Sequence, residues 1–329
     1  MKKRIYLFKS GTLKCQDGSL VYITKDGKDY IPIMQAEIIY VFGNCTLNKS
    51  TLQLLSDYKI KVYFFSYYGR FLGSYVPQKS SIGKVEIEQL KIIESESRNF
   101  PFQKEIILSS VYNMNSVLKY YQKKRHISFS QIIELEKLIF SIKNLEATDS
   151  KKLLIYEARS KQLYYDAFNN IILNKDFHFF RRSSYPPEDE LNAIMSYGYA
   201  ILYGIVETAI YTSNLQPNLG FIHRITKPNN SLKYDIADIF KPVLVDRLIF
   251  RMINKGQLKK EMFETRDNGM YLNHQGSILF IEEFETLLKT TILVKNKKMS
   301  YRSIINREMY NIEKSIMNNT KYKGYRMEW

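Results

Sequence analysis

The chain has 329 residues, 45% hydrophobic and 25% charged, a balance that excludes extensive disorder and allows one large core or two domains of ordinary size. Its formal net charge is +16, an excess that favours polyanionic partners, nucleic acid first and an anionic membrane surface second. Residues 1–80 hold twelve Lys and Arg against five Asp and Glu, so the surplus belongs to the folded body and not to a detachable tail. A basic protein that binds nothing in particular remains the alternative.

Cys15 and Cys45 are the only cysteines and form no CxxC pair, which argues against a disulfide framework and fits a reducing compartment. No apolar core follows the basic start Met1–Arg4, and no run of about 18 apolar residues is apparent. The expectation is a cytoplasmic protein without a spanning helix.

Along the chain, residues 4–76 read as β-rich. Alternation around Ile5–Phe8, the β-branched run Leu20–Thr24 ended by Asp26-Gly27, Tyr30–Met34, Ile38–Phe42, Lys61–Phe65 and Phe71–Val76 give about six strands. Asn48 is placed to cap one short helix through Leu52 and Leu55. The polar stretch 77–84 carries Pro and Gly and reads as a linker. From residue 85 to the end the pattern is helical: Lys104–Lys123, His126–Ile142, Lys151–Leu173, the apolar stretch from Leu191, Ile278–Leu293 and Tyr301–Asn318. The fold class is therefore α+β, with a β domain (1–76), a linker (77–84) and a larger, mostly helical domain (85–329). The terminal KYKGYRMEW is suited to touching nucleic acid or to packing back through Tyr325 and Trp329.

Three places carry residues of the right chemistry. Helix Lys151–Leu173 has Leu154, Ala158, Tyr165, Phe168 and Ile172 near one stripe, with Glu157 beside it and Lys161 one turn on. Glu157 either enters a half-buried groove or makes a surface Glu–Lys pair at i, i+4. His223 ends a loop after Gly220-Phe221-Ile222, twelve residues before Asp235. The other histidines, His126, His178 and His274, lack acidic partners at useful spacing. Asp235 and Asp238 lie three apart at the start of a helix, so both carboxylates can address one point, or both simply favour the positive end of the helix dipole. Lys241 adds a cation on the same face, and Pro242 limits its regularity. One imidazole with two or three carboxylates suits Mn²⁺ or Mg²⁺ better than zinc. No Walker loop, GxSxG or HExxH is present, and 14 glycines are few for nucleotide-cofactor loops.

Several blocks, in order, resemble one family. They are YEAR around Glu157, NAIMSYGYAILYG, GFIH, DIADIFKP and VDRLIF, with the opening KKRIYLFKSGTLK and the segment NCTLNKSTLQLLSDYKIKVYFFSYYG. Together they resemble the CRISPR-associated endonuclease and integrase that captures new spacers, Cas1, in a type I-B-like version, over nearly the whole chain. The resemblance implies an N-terminal β domain used in dimerisation and a helical catalytic domain. It implies Mg²⁺ or Mn²⁺ held by Glu157, His223 and Asp238, with Asp235 in support and Lys241 and Tyr203 near the site or on DNA. It further implies insertion of foreign DNA into a CRISPR array by 3′-hydroxyl transesterification. The implied partners are double-stranded DNA, a second copy of the chain, and the second acquisition protein, Cas2, with no membrane. Two rivals stand beside it: a basic nucleic-acid scaffold in which these residues are structural, and a branched-DNA nuclease working outside spacer acquisition.

Overall fold

The computed structural model describes residues 3–66, 69, 71–77, 83–125, 130–223, 230–266 and 268–328. The chain divides into two compact units, Met1–Ser80 and Ser81–Trp329, and it is of the α+β class. Most of the segment expected to link them, 78–82, lies outside the described residues.

Among the described residues the first unit has eight strands where the sequence pattern suggested six: β1 (Lys3–Leu7), β2 (Gly11–Gln16), β3 (Ser19–Thr24), β4 (Gly27–Ile31), β5 (Ala36–Val41), β6 (Cys45–Leu47), β7 (Lys61–Phe65) and β8 (Phe71–Tyr75). They form two four-stranded sheets, ordered β1-β5-β7-β8 and β4-β3-β2-β6. The two strands not foreseen are β2 and β6; β2 turns into β3 at Asp17-Gly18, both at positive φ (50° and 74°), which suits the right-handed twist of a two-residue hairpin. Helix α1 (Lys49–Asp57) joins β6 to β7, and Asn48 caps it by accepting the Thr51 N–H at 2.9 Å. Leu13, Leu20, Ile39, Leu55 and Val62 pack into one core. Cys15 and Cys45 are unpaired.

The second unit is built on helices: α2 (Gly83–Glu94), α3 (Glu96–Arg125), α4 (Ser130–Lys143), α5 (Ser150–Asp166), α6 (Phe168–Ile171), α7 (Glu190–Thr212), α8 (Leu232–Phe240), α9 (Arg247–Asn254), α10 (His274–Lys289) and α11 (Tyr301–Asn318). A π-helical stretch, Lys241–Asp246, joins α8 to α9. The helical pattern expected from residue 85 onward did not foresee two hairpins, β9 (Phe263–Arg266) with β10 (Gly269–Leu272) and β11 (Thr291–Val294) with β12 (Lys297–Ser300). The helix expected over Ile278–Leu293 stops at Lys289, because Thr290 turns to extended backbone at ψ 132°.

Helix α7 is long and apolar enough to cross a membrane, against the expectation that no such stretch exists, but its apolar window is 83% buried inside the protein. It is a core helix, and it is approached closely. A Cβ on Gly198 would lie 2.6 Å from Val245 Cγ1 and 2.7 Å from Phe280 Cζ, so the π-helical stretch and α10 press against bare backbone there.

The terminal segment packs back. Tyr322, Tyr325 and Met327 are buried; Trp329 lies outside the described residues. Arg326 pairs with Glu105 of α3 at 2.7 Å, and Met327 N–H donates to Asn113 Oδ1 at 2.7 Å. Tyr325 stacks on Phe240 with centroids 5.5 Å apart, which ties the tail to α8. The Tyr322 hydroxyl and the Tyr325 N–H both donate to Glu308 Oε1. Glu308 is 2% exposed, and burial pushes its pKa up to about 7 from 4.5, against those two hydrogen bonds. Between these values the folded chain holds the extra proton, so this group makes stability fall as pH rises through the window. Glu308→Gln keeps an acceptor for both donors and removes that loss. Its melting advantage over the native chain is expected to widen from about pH 5 to about pH 8, as calorimetry at both values would read.

Candidate active site

The site begins with a loop wrapped around one carboxylate. Asp235, fully buried in α8, accepts N–H bonds from Phe221 at 2.6 Å, Ile222 at 3.0 Å and His223 at 3.2 Å. It also receives His223 Nδ1 at 2.5 Å. Gly220 is required for this wrapping: a Cβ there would meet His223 O at 2.9 Å and Asp235 Oδ2 at 3.0 Å. Helix α3 holds the same loop from the other side. Phe221 stacks on Phe102 at 4.7 Å, and Asn99 and Gln103 donate to the Phe221 carbonyl at 3.1 and 2.7 Å. Residues 224–229, which include most of the Lys227-Pro-Asn-Asn tip, lie outside the described residues.

Asp238 faces elsewhere. It stands in the second turn of α8, because the helix begins at Leu232, so the expectation that both aspartates sit in the first turn holds for Asp235 alone. Its Oδ2 accepts from Lys161 Nζ at 3.0 Å, and its Oδ1 accepts from Lys241 Nζ. Lys161 also donates to Glu157 Oε1 at 2.7 Å. The i, i+4 pair foreseen for Glu157 and Lys161 exists, but it is half-buried and joined to Asp238. Of the expected stripe, Phe168 and Ile172 are buried, but within α5 the buried residues are Leu153, Ser160, Leu163 and Tyr164, whereas Leu154 is 47% exposed and Ala158 is exposed.

Lys241 lies over the rings of Tyr199 and Tyr203, 4.8 and 4.9 Å from their centroids. Tyr203 meets Tyr234 edge-on at 4.8 Å. Behind the cluster, Tyr199 donates to the buried Asp246 at 2.7 Å, and burial raises the Asp246 pKa to about 7. A cavity of ≈60 Å³ between these groups is lined by Ser110, Lys161, Tyr199, Asp238, Lys241 and Asp246, among others.

The electrostatics separate the groups. Burial opposes the charge on Asp238, yet Lys241 and Lys161 outweigh it and hold the carboxyl below its usual range. Burial likewise opposes the charge on both lysines, and the facing carboxylates outweigh it, raising each ammonium pKa. The hydrogen bond to Asp235 raises the His223 pKa against burial, with Asp238 and Glu157 adding to the rise. Both carboxylates thus act on the imidazole, whose side chain is 46% exposed. Among the described residues, however, no three His, Cys, Asp or Glu already converge as a ready-made metal cluster. The structure joins Glu157 to Asp238 through an ammonium and pairs His223 with Asp235.

Sequence reasoning missed the polar residues of α3, Tyr199 and Asp246. Ser110 donates to the Asp238 carbonyl at 2.8 Å and Asn113 to that of Ile239 at 2.7 Å, fixing α8 from behind. The legible signal was SSVYNMNS, Ser and Asn recurring inside the apolar middle of α3 between Ile106 and Leu118.

A β-rich unit ahead of a helical unit that gathers three carboxylates, an imidazole and two lysines defines a recognisable class. The family described as CRISPR associated protein Cas1 matches residues 5–286. A CRISPR-associated endonuclease Cas1 of Fusobacterium nucleatum is 32% identical over 336 residues, spanning 100% of this chain and 98% of the relative. A solved Cas1 protein from Thermotoga maritima superposes with a TM-score of 0.88 at 28% identity, over 99% of this chain and 100% of that one. A casposase bound to integration product has the same fold, with a TM-score of 0.89 at 18% identity, over 100% of this chain and 95% of that one. The chain belongs to the CRISPR-associated Cas1 family.

Proposed function

We propose that the protein is a divalent-metal-dependent DNA endonuclease and integrase that inserts captured DNA fragments as spacers into a CRISPR array. The observation that carries this is the cation shared by Glu157 and Asp238, two carboxylates from different helices that already point oxygens at one positive charge. The donor set fits Mg²⁺ or Mn²⁺: two carboxylates from Glu157 and Asp238, and the imidazole of His223. Asp235 takes the Nδ1–H, which fixes the tautomer and leaves Nε2 as the ligand nitrogen. When bound, the cation polarises a phosphodiester and stabilises the charge that builds on it.

The chain's own residues set the rest. Asp235 and the backbone of residues 221–223 orient the imidazole, and α3 keeps that loop and α8 in register. Lys241, held over Tyr199 and Tyr203, fixes the Asp238 carboxylate. In the joining step the 3′-hydroxyl of the captured fragment forms a new P–O bond as the P–O3′ bond of the repeat breaks. The released 3′-oxygen takes a proton, and the number of phosphodiester bonds is unchanged. With water as nucleophile the same centre cuts DNA. The net charge of +16 suits a duplex partner. Homodimerisation through the β unit, assembly with Cas2, action in the cytoplasm and a type I-B-like setting belong to the same proposal.

The scaffold alternative draws on the ion pairing, since Lys161 and Lys241 satisfy the carboxylates without any metal. A half-site joining assay with Cas2 separates the two. The proposal expects labelled DNA with a free 3′-hydroxyl to enter a repeat-bearing plasmid in Mn²⁺ and not in a chelator; metal-independent DNA binding without joining would support the scaffold.

A pH effect follows from the His223–Asp235 pair. A protonated imidazole cannot ligate a cation, so metal-dependent joining is expected to fall as pH drops through the raised His223 value. Asp235→Asn removes the largest cause of that rise, so the acid limb of the rate profile moves to lower pH. Metal affinity or activity falls by about 10–100-fold at the same time, because the ligand loses its orienting partner. An unmoved acid limb would contradict this role for Asp235.

A further inference from the structure

We propose that Lys161 is an exchangeable counter-cation: its ammonium holds the Glu157 and Asp238 carboxylates together before a divalent cation arrives, and it leaves them when that cation binds. This rests on those two carboxylates being metal ligands. The two oxygens that Lys161 contacts, at 2.7 Å on Glu157 and 3.0 Å on Asp238, belong to side chains only 15% and 8% exposed. Two such anions brought toward one point repel unless a positive charge lies between them. Lys161 supplies that charge, and in doing so it occupies the position between the carboxylates that a ligated cation needs.

The two lysines at Asp238 are not equivalent. Lys241 is 18% exposed, follows directly on the end of α8, and lies over two tyrosine rings, so it is fixed where it is. Lys161 is 32% exposed and stands on α5, tethered only by a flexible four-carbon stem with a way out to solvent. It is the cation that can move. While it is in place, a divalent cation meets carboxylates that are already compensated. Apparent metal affinity is then reduced by the fraction of molecules in which Lys161 has left.

The test is Mn²⁺ binding to the full-length protein without DNA, read from the paramagnetic resonance signal of free Mn²⁺ at constant pH and ionic strength. Lys161→Met removes the competing charge and is expected to tighten Mn²⁺ binding by about tenfold or more. Lys161→Gln keeps a hydrogen-bonding side chain without the charge and is expected to tighten it as well, which covers the case where the methionine variant folds poorly. Without metal both variants are expected to melt below the native chain, because the carboxylates then repel, and saturating Mn²⁺ is expected to close that gap. Native affinity in both variants overturns the exchange and leaves the metal site standing. If neither the native chain nor the variants bind Mn²⁺ more tightly than Asp238→Asn does, the metal site fails and the exchange with it.

Discussion

His223→Ala is expected to reduce metal-dependent DNA joining by roughly 10³-fold or more, since loss of a ligand forfeits several kcal/mol of transition-state stabilisation. It is expected to leave the melting temperature near that of the native chain. The imidazole is 46% exposed, and Asp235 keeps its three backbone donors when the ring is gone. Asp238→Ala also loses joining, but for two reasons at once. Asp238 is the shared partner of Lys161 and Lys241, and Lys241 is 18% exposed. Removing the carboxylate strands that ammonium, at a cost of about 3 kcal/mol. A matched pair of joining assays and melting curves separates the two variants: activity lost with stability kept for His223→Ala, both lost for Asp238→Ala. A His223→Ala protein that joins DNA as well as the native chain would remove His223 from the metal site. The histidine is thus a cleaner probe of chemistry than either aspartate.

The largest effect on stability is expected at a pair that touches no reacting group. Lys233 and Glu207 form an ion pair at 3.2 Å with side chains 3% and 1% exposed, and Asn230 donates to the same Glu207 carboxylate. Asn230 stands at a positive φ of 47°, two residues ahead of α8. Lys233→Met leaves a carboxylate buried without its cation and is expected to cost about 3–5 kcal/mol of folding stability. Changing both partners, as in Glu207→Gln with Lys233→Met, is expected to recover most of that, since burying a neutral pair removes the desolvation penalty. Denaturant titration of the single and double variants decides it, and a single variant as stable as the native chain would show that the pair carries no such weight. The loss would also reach the site, because this pair fixes the start of the helix that presents Asp235 and Asp238.

How far the site could be read in advance depended on the range of each interaction. His223, Asp235 and Asp238 stand within sixteen residues of one another, and their chemistry shows in the local string. The division of labour between the aspartates does not show there. It depends on a loop folding back so that three N–H groups converge on Asp235, and on a lysine arriving from 77 residues away to meet Asp238. The face of α5 was misjudged for a simpler reason: Leu153, Leu154 and Ile155 are consecutive, and three adjacent apolar residues leave the buried stripe undetermined by about one position. Only contact with neighbouring helices selects Leu153.

One strand of each hairpin was hidden by its composition, whereas the β-branched TILV of β11 was absorbed into the helix expected over Ile278–Leu293. FETR and KKMS are four-residue strands rich in charge, with little of the β-branched or alternating character that marks longer strands. The string Arg-Asp-Asn-Gly at 266–269 was the available sequence clue to the first hairpin. Asn48 was legible because capping is a local contact, complete within three residues. Lys161 lay at the limit. Its spacing to Glu157 announced an ordinary helix-surface pair, and nothing in the local sequence could tell that the same ammonium reaches a second carboxylate.

The most direct measurement is anomalous scattering from crystals of the full chain soaked in Mn²⁺. The expected map has Mn²⁺ bonded to Glu157, His223 and Asp238, with the Lys161 ammonium withdrawn from both carboxylates. Mn²⁺ found only elsewhere, with Lys161 still bridging Glu157 and Asp238, would contradict the account.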